Sequence, residues 1–125
     1  MTGNELLTRA MQLLGYTTHM GEADNSLNAE LIRRGLPILQ QVLADLYRIK
    51  HPEKPEPLPT DLNAEILLSE DEAVRVAVPG MAMYLAKGAG DNESYNLYSD
   101  EYHRHRNSVK RATTARVDVQ PTVSW

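Results

Sequence analysis

Apolar residues recur at helical spacing over most of the chain. Leu6, Leu7, Ala10, Met11, Leu13 and Leu14 share one face, Asn4 can cap that face and Gly15 ends it, so the pattern predicts a helix over 4–15. Tyr16 to Ser26, with Gly21, Asp24 and Asn25, has no period and reads as a loop whose Asn25 or Ser26 caps the next element. A second helix over 27–50 carries two stripes, Ile32, Leu36, Leu39, Leu43, Leu46 and beside it Leu31, Ile38, Val42, Ile49, together wider than one packing neighbour needs. Pro37 should kink it, eased by Gly35. Pro52, Pro55, Pro57 and Pro59 make the following segment a stiff connector, and Ala64 to Leu68 suits a short extended piece. Ser69 and Glu72 have capping-box spacing ahead of a run, Ala73 to Ala86, that is apolar apart from Arg75, Pro79 and Gly80. This predicts a central buried helix over 70–88, too short and too interrupted to span a membrane.

After Lys87-Gly88-Ala89-Gly90, Asp91 or Asn92 can cap a fourth helix over 92–115. Its seam, Tyr95, Tyr98, Tyr102, His105, Val109, Ala112 and Arg116, alternates steps of three and four. From Val117 the period becomes two, because Val117, Val119, Pro121, Val123 and Trp125 alternate with polar residues, which is strand logic. The expected architecture is therefore all-α: a four-helix bundle-like domain over 1–116 with a long central helix, and an extended C-terminal arm over 117–125. The main rival is the same bundle with its second or fourth helix broken.

A chain of 125 residues is enough for one domain that folds without staples. Cys 0 excludes disulfides, thiolate metal sites and cysteine nucleophiles, and Phe 0 with Trp 1 leaves an aliphatic core to which the Tyr residues bring hydroxyls in need of partners. The formal net charge of -4 argues against bulk attraction to nucleic acid or an anionic membrane, yet the charge is unevenly placed. Glu53 to Glu72 is acidic apart from Lys54, whereas every charge from His103 to Arg116 is basic, so copies of the chain or a partner can stack on it. Met1 to Glu5 lacks the features of a signal peptide, and synthesis in the cytosol is expected.

Candidate chemistry is sparse. Gly88-Ala89-Gly90 lacks the Lys-Ser/Thr of a phosphate loop, and Asp100 with His103 forms at most half a metal site, with His19 and His51 lying elsewhere without ligand spacing. No nucleophile motif or lipidation signal is present, so no catalytic residue, metal, cofactor or membrane contact is expected. Arg104, Arg106, Lys110 and Arg111 give the fourth helix a basic face for a subunit or for phosphates. A nucleic-acid-binding accessory protein is thus the alternative function, opposed by the acidic balance and the want of a helix-turn-helix signature. The tail has no strand partner within a helical chain. Val117, Val119, Val123 and Trp125 are expected either to dock on another chain by strand addition or to fray as an ordinary terminus.

The order Leu13-Leu14-Gly15-Tyr16, Val42-Leu43-Ala44-Asp45-Leu46-Tyr47, a Pro-rich connector, Gly80-Met81-Ala82-Met83-Tyr84-Leu85-Ala86, Gly90-Asp91-Asn92 and a final Tyr95, Tyr98, Tyr102 helix resembles the head-tail connector (adaptor, or head-completion) proteins of tailed bacteriophages. The resemblance covers Asn4 to about Arg111, with Pro37 and Pro79 as departures. It implies a non-enzymatic virion subunit, monomeric or assembled when free, that forms a ring of about twelve copies by head-to-tail contacts. Portal and tail or stopper proteins would be its partners, and packaged DNA would pass through its channel. Under that resemblance Glu53, Glu56, Asp61 and Glu65 are expected at the lumen or its rim, where like charge lets DNA slide; the competing expectation is a solvated loop.

Overall fold

A computed structural model describes the backbone of residues 1–16 and 29–122 and the side chains of 1–16 and 30–110. The fold is all-α: α1 (Gly3–Leu14), α2 (Ala29–Arg33), α3 (Gly35–Lys50), α4 (Glu70–Glu72), a π-helical turn (Ala73–Ala77), α5 (Val78–Ala89) and α6 (Asn92–Thr122). Among the described residues the only ladder-type pairing is an isolated antiparallel bridge between Thr2 and Glu65, within the piece expected to be extended. No helix of the described residues is long and apolar enough to cross a membrane.

Helix α1 starts earlier than its apolar pattern suggests. Thr2 is the cap, its hydroxyl accepting from the Glu5 amide at 3.3 Å, while Asn4 is already helical and gives its amide to the Leu62 carbonyl at 2.9 Å. The returning chain at 62–66 satisfies donors that a helix start leaves open, and the Ile66 amide bonds the Met1 carbonyl at 2.8 Å. Gly15 ends α1 as expected, at φ +75°, with Gly15 and Tyr16 amides closing on Gln12 and Met11 carbonyls.

The predicted helix over 27–50 is two helices, separated at Arg34. Pro37 cannot bond the Arg33 carbonyl and its ring clashes with it, so the chain restarts at Gly35 and places Pro37 in the first turn, where a missing amide hydrogen costs nothing. Residues 27–28, the loop from residue 17 and the caps expected at Asn25 or Ser26 lie outside the described residues.

Pro79 has a different solution. The capping box forms, Ser69 Oγ accepting from the Glu72 amide at 3.1 Å and the Glu72 carboxylate from the Ser69 amide at 3.2 Å, and the helix runs on through the proline. The π turn just before it bonds the Val78 amide to the Ala73 carbonyl, five residues back. That wider turn makes room where an α-turn would press the Pro79 ring on the Arg75 carbonyl. The segment from Ala73 to Ala86 is the centre of the molecule: Val76, Ala77, Met81, Ala82, Leu85 and Ala86 are almost wholly buried, and α1, α3 and α6 pack around them. Gly90, at φ +74°, ends α5, and Asp91 caps α6 through the Ser94 amide at 3.2 Å.

The extended arm needs correction. The α6 backbone remains helical through Val117 and Val119 to Thr122, so the chain is not extended over 117–122; Val123 and Trp125 lie outside the described residues. A helix already nucleated adds each residue at little cost, whereas a strand needs a partner, and the described residues offer none.

Candidate functional site

The most developed polar constellation joins α3 to α6. On α3, Asp45 stands beside Leu46 and Tyr47, both in the core; on α6, Tyr102 and Arg106 are four residues apart and so share a face. The Tyr102 hydroxyl donates to Asp45 Oδ2 at 2.7 Å, and Arg106 forks onto the carboxylate, Nε to Oδ2 at 2.5 Å and a terminal nitrogen to Oδ1 at 3.0 Å. Gly80 makes the seat for Tyr102, since a β-carbon there would lie 2.8 Å from its ring. Burial opposes ionisation of Asp45, but the hydrogen bonds from Arg106 and Tyr102 outweigh it and hold the carboxyl below its usual range. Burial first, then the Asp45 carboxylate, push the Tyr102 phenol far up, so it stays a neutral donor. This is a clamp rather than an acid–base pair, because both carboxylate oxygens are already engaged.

Around the clamp lies an open groove of about 660 Å³, walled by Gln41, Ala44 and Arg48 of α3, Met83, Tyr84 and Lys87 of α5, and Tyr95 and His103 of α6. Arg48 and Lys87 are exposed and form no ion pair with the described residues. Lys87 Nζ lies 5.9 Å from the centre of the Tyr95 ring, a cation–π contact. His103 places Nδ1 2.7 Å from the Ser99 carbonyl, which assigns the proton to that nitrogen. With Asp45 neutralised by Arg106, the remaining cations give the groove a positive character, and Tyr84 and Tyr95 add half-buried aromatic surface.

The expected basic face is rearranged. Arg106 is only 27% exposed and belongs to the clamp, whereas Arg104 and Lys110 are exposed and Arg111 contributes backbone alone to the described residues. The acidic residues do not gather. Gln40 donates to the Pro59 carbonyl at 2.9 Å, so the connector runs back along α3 from its C-terminus, spreading the carboxylates over its length. Glu53 is exposed and Glu56 half-buried; Asp61 accepts from the Asn63 amide at 2.7 Å, and Glu65 pairs with the Met1 amino group. Among the described residues no three His, Asp or Glu side chains stand close enough to hold a metal ion.

Sequence reasoning missed Asp45, Arg48 and Lys87. Asp45 could have been found as a lone carboxylate set among Leu43, Leu46 and Tyr47 in an apolar helix, since a charge there needs a partner. Arg48 and Lys87 carry no signal of their own, because only the packing of α3 on α5 and α6 brings them to one groove. No family model matches the chain, and no match was found among curated proteins or solved structures.

Proposed function

We propose that this chain is a structural, non-enzymatic head-tail connector subunit of a tailed phage, forming a ring between the portal and the tail or stopper proteins that extends the DNA channel and helps retain the packaged genome. The observation that carries this reading is the separation of unlike charges on one helical subunit: carboxylates along the connector that runs back beside α3, cations in the groove between α3 and α6. Different complementary surfaces associate head to tail, and such contacts close into rings when the rotation closes. The length of α6 also supports it. At 31 residues it is about 46 Å long and outruns the rod from Glu70 to Ala89, leaving a helical end to reach a neighbour.

The test is reconstitution. Purified chain is added to DNA-filled, tailless heads of the phage that encodes it, and the portal vertex is imaged by electron cryomicroscopy. A ring of this chain below the portal is expected; unoccupied vertices at saturating protein would overturn the reading. The second reading, a nucleic-acid accessory protein, is favoured by Arg104 and Lys110 alone and opposed by Asp100 and Glu101, one turn from Arg104. It requires duplex affinity that falls steeply with salt.

A further inference from the structure

The groove and the connector are matched in chemistry, size and charge. Segment His51 to Thr60 takes up neither helix nor strand and carries a proline at 52, 55, 57 and 59, a composition that favours the polyproline II conformation. The chain bends at residues 52–54 and runs without a bend over 55–59; drawn out in that conformation on a partner, with three residues per turn, Glu53 and Glu56 would stand on one edge about 9 Å apart, and Pro52, Pro55 and Leu58 on the next. Leu58 is 40% exposed, an apolar side chain left to solvent on this flank. The groove offers the complement. Its α3 wall from Gln41 to Arg48 is about 10 Å long, it holds Arg48 and Lys87, and its floor carries Met83 with Tyr84 and Tyr95. Aromatic-lined grooves are the usual receivers of proline-rich segments.

A chain cannot fill its own groove in this arrangement. Pro59 is tied to Gln40 and the Leu62 carbonyl to Asn4, so the connector returns on the α1 side of α3, whereas Asp45 and Arg48 look toward α6.

We propose that the groove between α3 and α6 receives the acidic proline-rich segment of a second copy of this chain, with Arg48 and Lys87 meeting Glu53 and Glu56 while Tyr84 and Tyr95 receive the prolines. Segment and groove are different surfaces, so the contact is heterologous and repeats from copy to copy. A phosphate backbone is the poorer occupant, because it has no apolar edge to lay on Met83, Tyr84 and Tyr95. The contact rests on the connector reading only for its place in a ring; the self-recognition stands without it.

The experiment titrates a labelled peptide of sequence His51 to Thr60 into the full-length chain and follows its fluorescence anisotropy. Saturable binding below about 1 mM is expected, weakened roughly tenfold or more by Arg48→Glu with Lys87→Glu and by salt. The groove-reversed chain should regain affinity for a peptide carrying Glu53→Lys and Glu56→Lys. Both substituted groove residues are exposed, so an unchanged circular dichroism melt checks that the variant is folded. Absence of peptide binding at 1 mM, binding indifferent to the reversal, or displacement of the peptide by a short DNA duplex at equal concentration would each overturn the proposal. None of these results bears on vertex occupancy by electron cryomicroscopy, so the two readings fail separately.

Discussion

Asp45 receives hydrogens from two side chains 57 and 61 residues further along the chain, and its ionised form is the one they favour. Its folded pKa therefore lies below the unfolded value of about 3.9, so its stabilising contribution is complete above that value and is lost as pH falls through the folded pKa. Glu72 behaves alike: burial opposes its ionisation, but Lys50 at 2.7 Å and the Ser69 cap outweigh it. Between pH 5 and 3 the Tm of Asp45→Asn should consequently fall less steeply than that of the parent chain, measured by calorimetry in matched buffers. Gly80→Ala tests the seat of Tyr102. The new methyl gains about 1 kcal/mol of helix propensity, but it meets a ring that is only 3% exposed and Val42 at 3.3 Å. Overpacking of this kind costs about 1–3 kcal/mol, so a net loss in chemical denaturation is expected. The Asp45 clamp was illegible in the sequence because Arg106 sits within a row of cations that reads as a solvated face, and a partner 61 residues away leaves no local trace.

Local rules succeeded where the interaction was local. Gly15, Gly90 and the Ser69–Glu72 box were readable because each joins residues no more than five apart. Ser69→Ala should cost about 1 kcal/mol and lower Tm by roughly 4 °C, read by thermal melting, since it removes the acceptor for the Glu72 amide. Pro37 and Pro79 show where the rules run out. Both forbid a regular α-turn, yet one breaks the chain at Arg34 and the other is absorbed by a π turn. The difference lies in packing: Ala73, Val76 and Ala77 are buried on the near side of Pro79 and Met81, Ala82 on the far side, so both halves must remain docked in one rod. On the tail, a period of two over a few residues could not outvote a helix already under way.

Across the whole molecule, the rod from Glu70 to Ala89 ends near the level of Val109, which still packs on the core, and the rest of α6 continues beyond. Removing the residues after Arg116 should leave Tm within about 2 °C of the full chain, because that stretch lies past the end of its packing partner. The same truncation should lower the helical circular dichroism signal by the contribution of six residues, Val117 to Thr122; an unchanged signal would restore the extended arm. The seat of α1 has a consequence in time. Helices α5 and α6 meet across a two-residue turn at Gly90 and Asp91, so their pairing closes almost no loop. The first helix packs instead on α5 and is tied at its start by Leu62, with Ile66 closing on Met1 before it, contacts that cannot form until some sixty residues of chain have come together. Contacts with the smaller loop-closure penalty form first. In refolding followed by pulsed hydrogen exchange, amides of Met81 to Leu85 and the Tyr95–Tyr102 turns should gain protection before those of Leu6 to Met11, which makes the amino-terminal helix the last piece to be laid down.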